Sequence, residues 1–130
     1  MKKQLTLLLA FIMALTTACG KPDTSLKGKE FTYQESPRDV TITLGFDATE
    51  NRVYGSSGVN RYFGSYTQNG TELRFSPLAS TMMAGPQKAM EAEQAYLKEM
   101  NDVVSFELKD RRLILKTKTN QELIFKQDQP

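Results

Sequence analysis

The stretch Val40-Thr41-Ile42-Thr43-Leu44-Gly45-Phe46 decides the fold class, because its side chains alternate without a break. In an extended chain successive side chains point to opposite faces, so Val40, Ile42, Leu44 and Phe46 share an apolar face opposite small or hydroxyl-bearing residues. That is a half-buried strand. Shorter alternations recur at Lys29 to Tyr33, Arg61 to Tyr66, Thr71 to Ser76, Val103 to Leu108, Arg112 to Thr117 and Glu122 to Lys126. They direct Phe31, Tyr62, Tyr66, Leu73, Phe75 and Val104 inward, and after them Phe106, Leu108, Leu113, Leu115, Leu123 and Phe125. Asn69-Gly70 between two of these runs predicts a type I′ hairpin turn, which needs positive φ at both central residues. With Thr71 it also spells a glycosylation acceptor, a reading set aside in favour of the turn. Turns at Asp110-Arg111 and Thr119-Asn120 close a C-terminal three-strand meander.

One segment changes period. Residues 86–101 are rich in strong helix formers and begin with a proline, which the first turn of a helix tolerates. Ala89, Met90, Glu93, Tyr96, Leu97 and Met100 form a stripe at helical spacing, and Glu93 is its only charge. A buried carboxylate needs a partner, and Arg61 is the candidate; the alternative is that Glu93 reaches solvent at the edge of the stripe. Many short strands and one late helix predict an α+β fold: a strongly curved antiparallel sheet or small open barrel, with the helix of about 86–101 packed against it.

The chain of 130 residues makes one domain, has no histidine and has a single cysteine. Without imidazole, histidine-dependent triads and most zinc sites are excluded, and one cysteine allows neither an internal disulfide nor a cysteine cluster. No cofactor, metal site or catalytic residue is expected. The cysteine, Cys19, follows Met1-Lys2-Lys3, the uncharged run Leu5 to Leu15 and small residues Thr16 to Ala18. This is the order of a secretory signal, and the run is too short to span a bilayer. Residues 1–18 are thus read as a signal peptide, 19–25 as a flexible tether and 26–127 as the folded domain. Placed there, Cys19 resembles the lipid-bearing cysteine of bacterial lipoproteins, although Thr16 stands where Leu is usual and Leu15 comes one residue early. An ordinary cleaved signal is the alternative. Cleavage before Cys19 removes Lys2 and Lys3, so the formal charge of +2 belongs to the leader and the mature chain is neutral. No basic stripe is left to bind nucleic acid.

Asn60 to Tyr66, Gly70 and Leu73, Pro77 to Met83, and Met90, Glu93 and Tyr96 together resemble the META domain of HslJ-type bacterial envelope proteins. The likeness runs from about Ser25 to Lys126. It implies a non-enzymatic, membrane-tethered domain concerned with stress tolerance, a monomer facing the periplasm or cell surface from the outer membrane, in keeping with Gly20 after the cysteine. Its signature residues are Asn60, Arg61, Tyr62, Thr81, Met82, Met83 and Glu93. They form either an interaction surface for an envelope protein or, more simply, a turn with methionines plugging the open end of the sheet. Many members carry a cysteine pair where this chain has Val59 and Gly85, which implies that a disulfide has been lost here and that the loop from Ser80 to Gly85 is less tightly held. META domains are also similar in fold to pilotins, which offers a second reading: chaperoning a secretin, or holding an acyl chain in a pocket lined by Phe31, Phe46, Tyr62 and Phe106.

Overall fold

The computed structural model describes residues 21–129, so Cys19 and the signal segment lie outside the described residues. Nine strands and one helix follow in the order β1 (Glu30–Tyr33), β2 (Thr43–Phe46), β3 (Arg52–Ser56), β4 (Arg61–Asn69), β5 (Glu72–Phe75), β6 (Ala79–Ser80), α1 (Gln87–Asn101), β7 (Val103–Lys109), β8 (Arg112–Thr117) and β9 (Glu122–Gln127). The sheet runs β3-β2-β1-β9-β8-β7-β5-β4, and β4 pairs back onto β3, closing an eight-stranded antiparallel barrel. Strand β6 lies beside the first residues of β4. The loosest join is β5 to β7, one register pair (Glu72 with Ser105) and the bond from Phe106 N–H to Thr71 C=O at 2.9 Å.

An eight-stranded barrel is just wide enough for side chains to fill. Here the alternating residues do so: Phe31, Leu44, Leu73, Leu113, Leu115 and Phe125 have no accessible surface. The helix adds Ala89, Tyr96 and Met100 from its buried stripe, and Tyr96 packs against Tyr62, Tyr33 and Phe125 at centroid distances of 5.6, 5.5 and 6.3 Å. Pro86 is the helix N-cap, one residue outside the expected first turn. The chain is already attached ahead of Leu26, since Gln68 donates to the Thr24 carbonyl at 2.7 Å.

Four expectations need correction. Strands β3 and β6 were not anticipated. In β3, Gly55 breaks the apolar pattern because a Cβ there would stand 2.2 Å from the Thr43 carbonyl oxygen, so only glycine permits the approach of β2. The Asn69-Gly70 turn lies one residue later: Asn69 pairs with Glu72, and only Gly70 has positive φ (60°), the pattern of a type II′ turn and not I′. The I′ geometry occurs instead at Asp110 and Arg111, with φ of 51° and 65°. Val103, not Val104, is the buried residue, because a register shift between Val103 and Ser105 reverses the alternation there. Finally, Phe75 is only half-buried.

Candidate functional site

Glu93 is 5% exposed on the inner stripe of α1. Its partner is not Arg61. Asn60 and Tyr62 both point inward, so two-residue alternation turns Arg61 outward, where it is exposed and makes no ion pair among the described residues. Neutral donors hold the carboxylate instead. Oε1 accepts from the Ser57 hydroxyl at 2.5 Å and the Asn60 backbone N–H at 2.8 Å, and Oε2 accepts from Asn60 Nδ2 at 2.8 Å. Burial pushes this carboxyl up, but the bonds from Ser57 and Asn60, helped by the Val59 backbone, outweigh it and leave the group below its ordinary range.

Asn60 is the hub of the cluster. Its Oδ1 accepts from the Thr81 hydroxyl at 2.9 Å and the Met83 N–H at 2.7 Å, and its Nδ2 also donates to the Met83 carbonyl at 3.1 Å. All four hydrogen-bonding places of the amide are filled. The Thr81 hydroxyl also accepts from the Arg61 N–H at 3.2 Å, while the Thr81 N–H donates to the Arg61 carbonyl at 3.0 Å. The loop from Ser80 to Gly85, implied to be less tightly held than one with a disulfide, is tied at Thr81 and Met83 by these bonds. A buried amide makes this possible because its donors and acceptors match those of an extended backbone.

The position of Val59 and Gly85 agrees with the implied cysteine pair. A Cβ built on Gly85 falls 3.4 Å from Val59 Cβ, beside the 3.5–4.5 Å usual for a disulfide, and 2.7 and 2.9 Å from the two Val59 methyls. Valine fills the space that a bridge would take.

Tyr62 lies two residues beyond Asn60 and also points inward. Its hydroxyl is 2.6 Å from the Thr43 carbonyl and 2.6 Å from the Tyr96 hydroxyl. A carbonyl only accepts, so Tyr62 donates to Thr43 and Tyr96 donates to Tyr62. Burial pushes both phenols far above their ordinary value, more than their mutual bond can offset in Tyr62. Among the described residues, Phe31, Phe46, Tyr62 and Phe106 do not line an acyl pocket together: they are between 0% and 3% accessible and fill the interior themselves.

The seven signature residues thus divide. Asn60, Thr81 and Glu93 form one hydrogen-bonded lock across the β3–β4 turn, the β6–α1 loop and the helix; Tyr62 anchors the helix beside it; Arg61 faces out. Met82 and Met83 do not plug the sheet, being 95% and 63% exposed. Sequence reasoning missed Ser57, whose neighbour Gly58 (φ 117°) is the visible sign of the tight turn that turns the hydroxyl inward.

Two solved structures share the fold: an NMR structure of a protein from Burkholderia xenovorans, 23% identical with TM-score 0.70 over 81% of this chain and 85% of that one, and a second NMR structure, 22% identical with TM-score 0.59 over 78% and 90%. A search of curated proteins finds no match. The META domain model matches residues 23–130, which takes in the barrel, the helix and every residue of the lock, and the chain therefore belongs to the META domain family.

Proposed function

We propose that this META domain is a non-enzymatic, monomeric interaction module, held at the outer membrane of a bacterial envelope by a lipid on Cys19 and serving stress tolerance through a protein partner. Its working surface is the loop of Thr81 to Met83. The observation that carries this reading is the exposure of Met82 and Met83 on a backbone that Asn60 clamps from below. Methionine adapts to irregular partner surfaces, and a loop already fixed loses little entropy on binding. Beside the loop, Phe63 and Tyr54 pair across β4 and β3 on the outer wall at 52% and 42% exposure, and Phe63 also pairs with Ala79 of β6. Exposed apolar area of this kind marks interaction sites.

The interior supports the non-enzymatic part. Both Glu93 oxygens are occupied, the Ser57 proton is committed to Glu93, and the Tyr62 and Tyr96 hydroxyls are spent on each other and on Thr43. A general base or nucleophile must reach substrate, and these groups reach only each other.

The reading is tested by placing a photo-crosslinking amino acid at position 82, with position 94 on the exposed side of α1 as control, in cells that produce the protein. A discrete crosslinked product from position 82 alone is expected; no product, or the same products from both positions, overturns it. In the same cells the intact mass of the membrane-fraction protein should carry acyl groups, lost on Cys19→Ala.

A further inference from the structure

We propose that the groove between α1, the segment after β1 and the start of β9 binds a small organic cation with an apolar body, such as an alkylammonium ion. The cavity holds about 340 Å3, within the range of small-molecule sites, and lies apart from the methionine loop. Its floor is apolar, made by Tyr33, Tyr96, Ile42 and Leu123, and Ala92 keeps the helix wall low enough to leave it open.

Charge selects the ligand. Glu35 after β1, Glu99 on α1 and Glu122 on β9 line the groove, and among the described residues no lysine or arginine lines it. None of the three carboxylates makes an ion pair within 4.0 Å among the described residues; nearby basic groups stand outside the groove, Lys116 opposite Glu122 in the β8–β9 register but bridged to Glu107 at 3.7 Å, and Arg112 and Lys126 on the neighbouring cavity that Glu35 also borders. Glu99 stands in the last turn of α1, where the helix dipole already favours a positive charge. The ring of Tyr33, held 5.5 Å from Tyr96 and 5.2 Å from Phe125, adds an aromatic face suited to an ammonium group. The fields of Glu35 and Glu99 reach that ring, adding to burial in pushing its phenol up. Carboxylates, dipole and aromatic face all favour a cation, and the floor favours an alkyl or aryl body.

The test compares three probes with one tail and different heads, octyltrimethylammonium, octyl glucoside and octyl sulfate, each below its micelle concentration, by amide NMR titration of the full chain. Octyltrimethylammonium should shift Tyr33, Ala92 and Glu99 saturably and bind about tenfold or more tightly than octyl sulfate, with affinity falling as salt rises. The double variant Glu35→Gln/Glu99→Gln, with both changes at the groove rim, should bind it about fivefold to tenfold less tightly. Ala92→Leu should close the groove and abolish the shifts. Equal binding of the three probes, shifts centred outside the groove, or unchanged affinity in the double variant overturns the proposal.

Discussion

Installing cysteines at Val59 and Gly85 should stabilise the domain by an amount that the geometry predicts. A Cβ at 85 meets the Val59 methyls at 2.7 and 2.9 Å, so Gly85→Cys alone overpacks the site and should lose about 1–3 kcal/mol. Replacing Val59 as well removes those methyls and leaves two Cβ atoms 3.4 Å apart, at the short edge of disulfide geometry. The bridge closes a loop of about 27 residues, for which the loss of unfolded-chain entropy comes to about 3.5 kcal/mol. At about 4 °C per kcal/mol for a domain of this size, the oxidised Val59→Cys/Gly85→Cys protein should melt about 10 °C or more above its reduced form. Thermal melts with and without reductant measure this, in a Cys19→Ala background so that no third thiol competes, and intact mass reports bridge formation. Failure of the folded protein to form the bridge, or identical melting in both redox states, would refute the placement of the two loops.

Glu93→Gln turns an acceptor toward three donors into a group that also donates, and should lower stability by about 2–4 kcal/mol. Because the folded Glu93 carboxyl lies below its ordinary value, its contribution is complete above the unfolded value of about 4.3 and is lost as pH falls through the folded one. The gap between wild type and Glu93→Gln in urea melts should therefore hold from neutral pH to about pH 5 and narrow in stronger acid; a gap that widens there contradicts the lock. Tyr62→Phe should destabilise by about 1–3 kcal/mol and by more than Tyr96→Phe, since it leaves both the Thr43 carbonyl and the Tyr96 hydroxyl without a partner. The reverse order would mean that the bond from Tyr62 to the Thr43 carbonyl contributes little.

Periodicity carried the fold because burial acts on one side chain at a time. Ile42, Leu44 and Phe46 alternate in sequence as they alternate in space, and the helical stripe placed Glu93, Tyr96 and Met100 inward in the same way. Where a backbone event intervenes, the signal fails. The bulge at Val103 to Ser105 moves the buried residue by one, and Gly55 replaces an apolar residue for the sake of a close approach to β2. A hairpin dipeptide marks the turn but leaves its register open, since Gly70 is satisfied by I′ or II′.

The pairing of Glu93 failed for a different reason, and the same alternation contained the remedy. With Tyr62 inward, Arg61 had to face out, and the inward neighbour on the same strand side was Asn60. The reading that a buried carboxylate needs a cation was the weak step: several neutral hydrogen bonds can hold a carboxylate charged. Three donors from Ser57 and Asn60 do so here.

That choice of partner has a consequence for what the surface displays. A cation bound to Glu93 has no acceptor to offer the loop, whereas an asparagine that donates to Glu93 still has an oxygen for the Met83 N–H and a second N–H for the Met83 carbonyl. The lock therefore connects helix and loop through one side chain, and it holds the loop by the Thr81 hydroxyl and the main chain of Met83. Met82 and Met83 are positioned without their side chains being used. A scaffold of this kind allows the residues at 82 and 83 to vary while Asn60, Thr81 and Glu93 stay fixed. Substituting both methionines with serine should leave the melting temperature within about 2 °C, a surface change with no buried partner, while Asn60→Ala removes the side-chain bonds to Thr81 and Met83 and leaves Glu93 Oε2 without its donor, and should lower it by far more. If the two substitutions lowered stability equally, the methionines would be part of the packing after all.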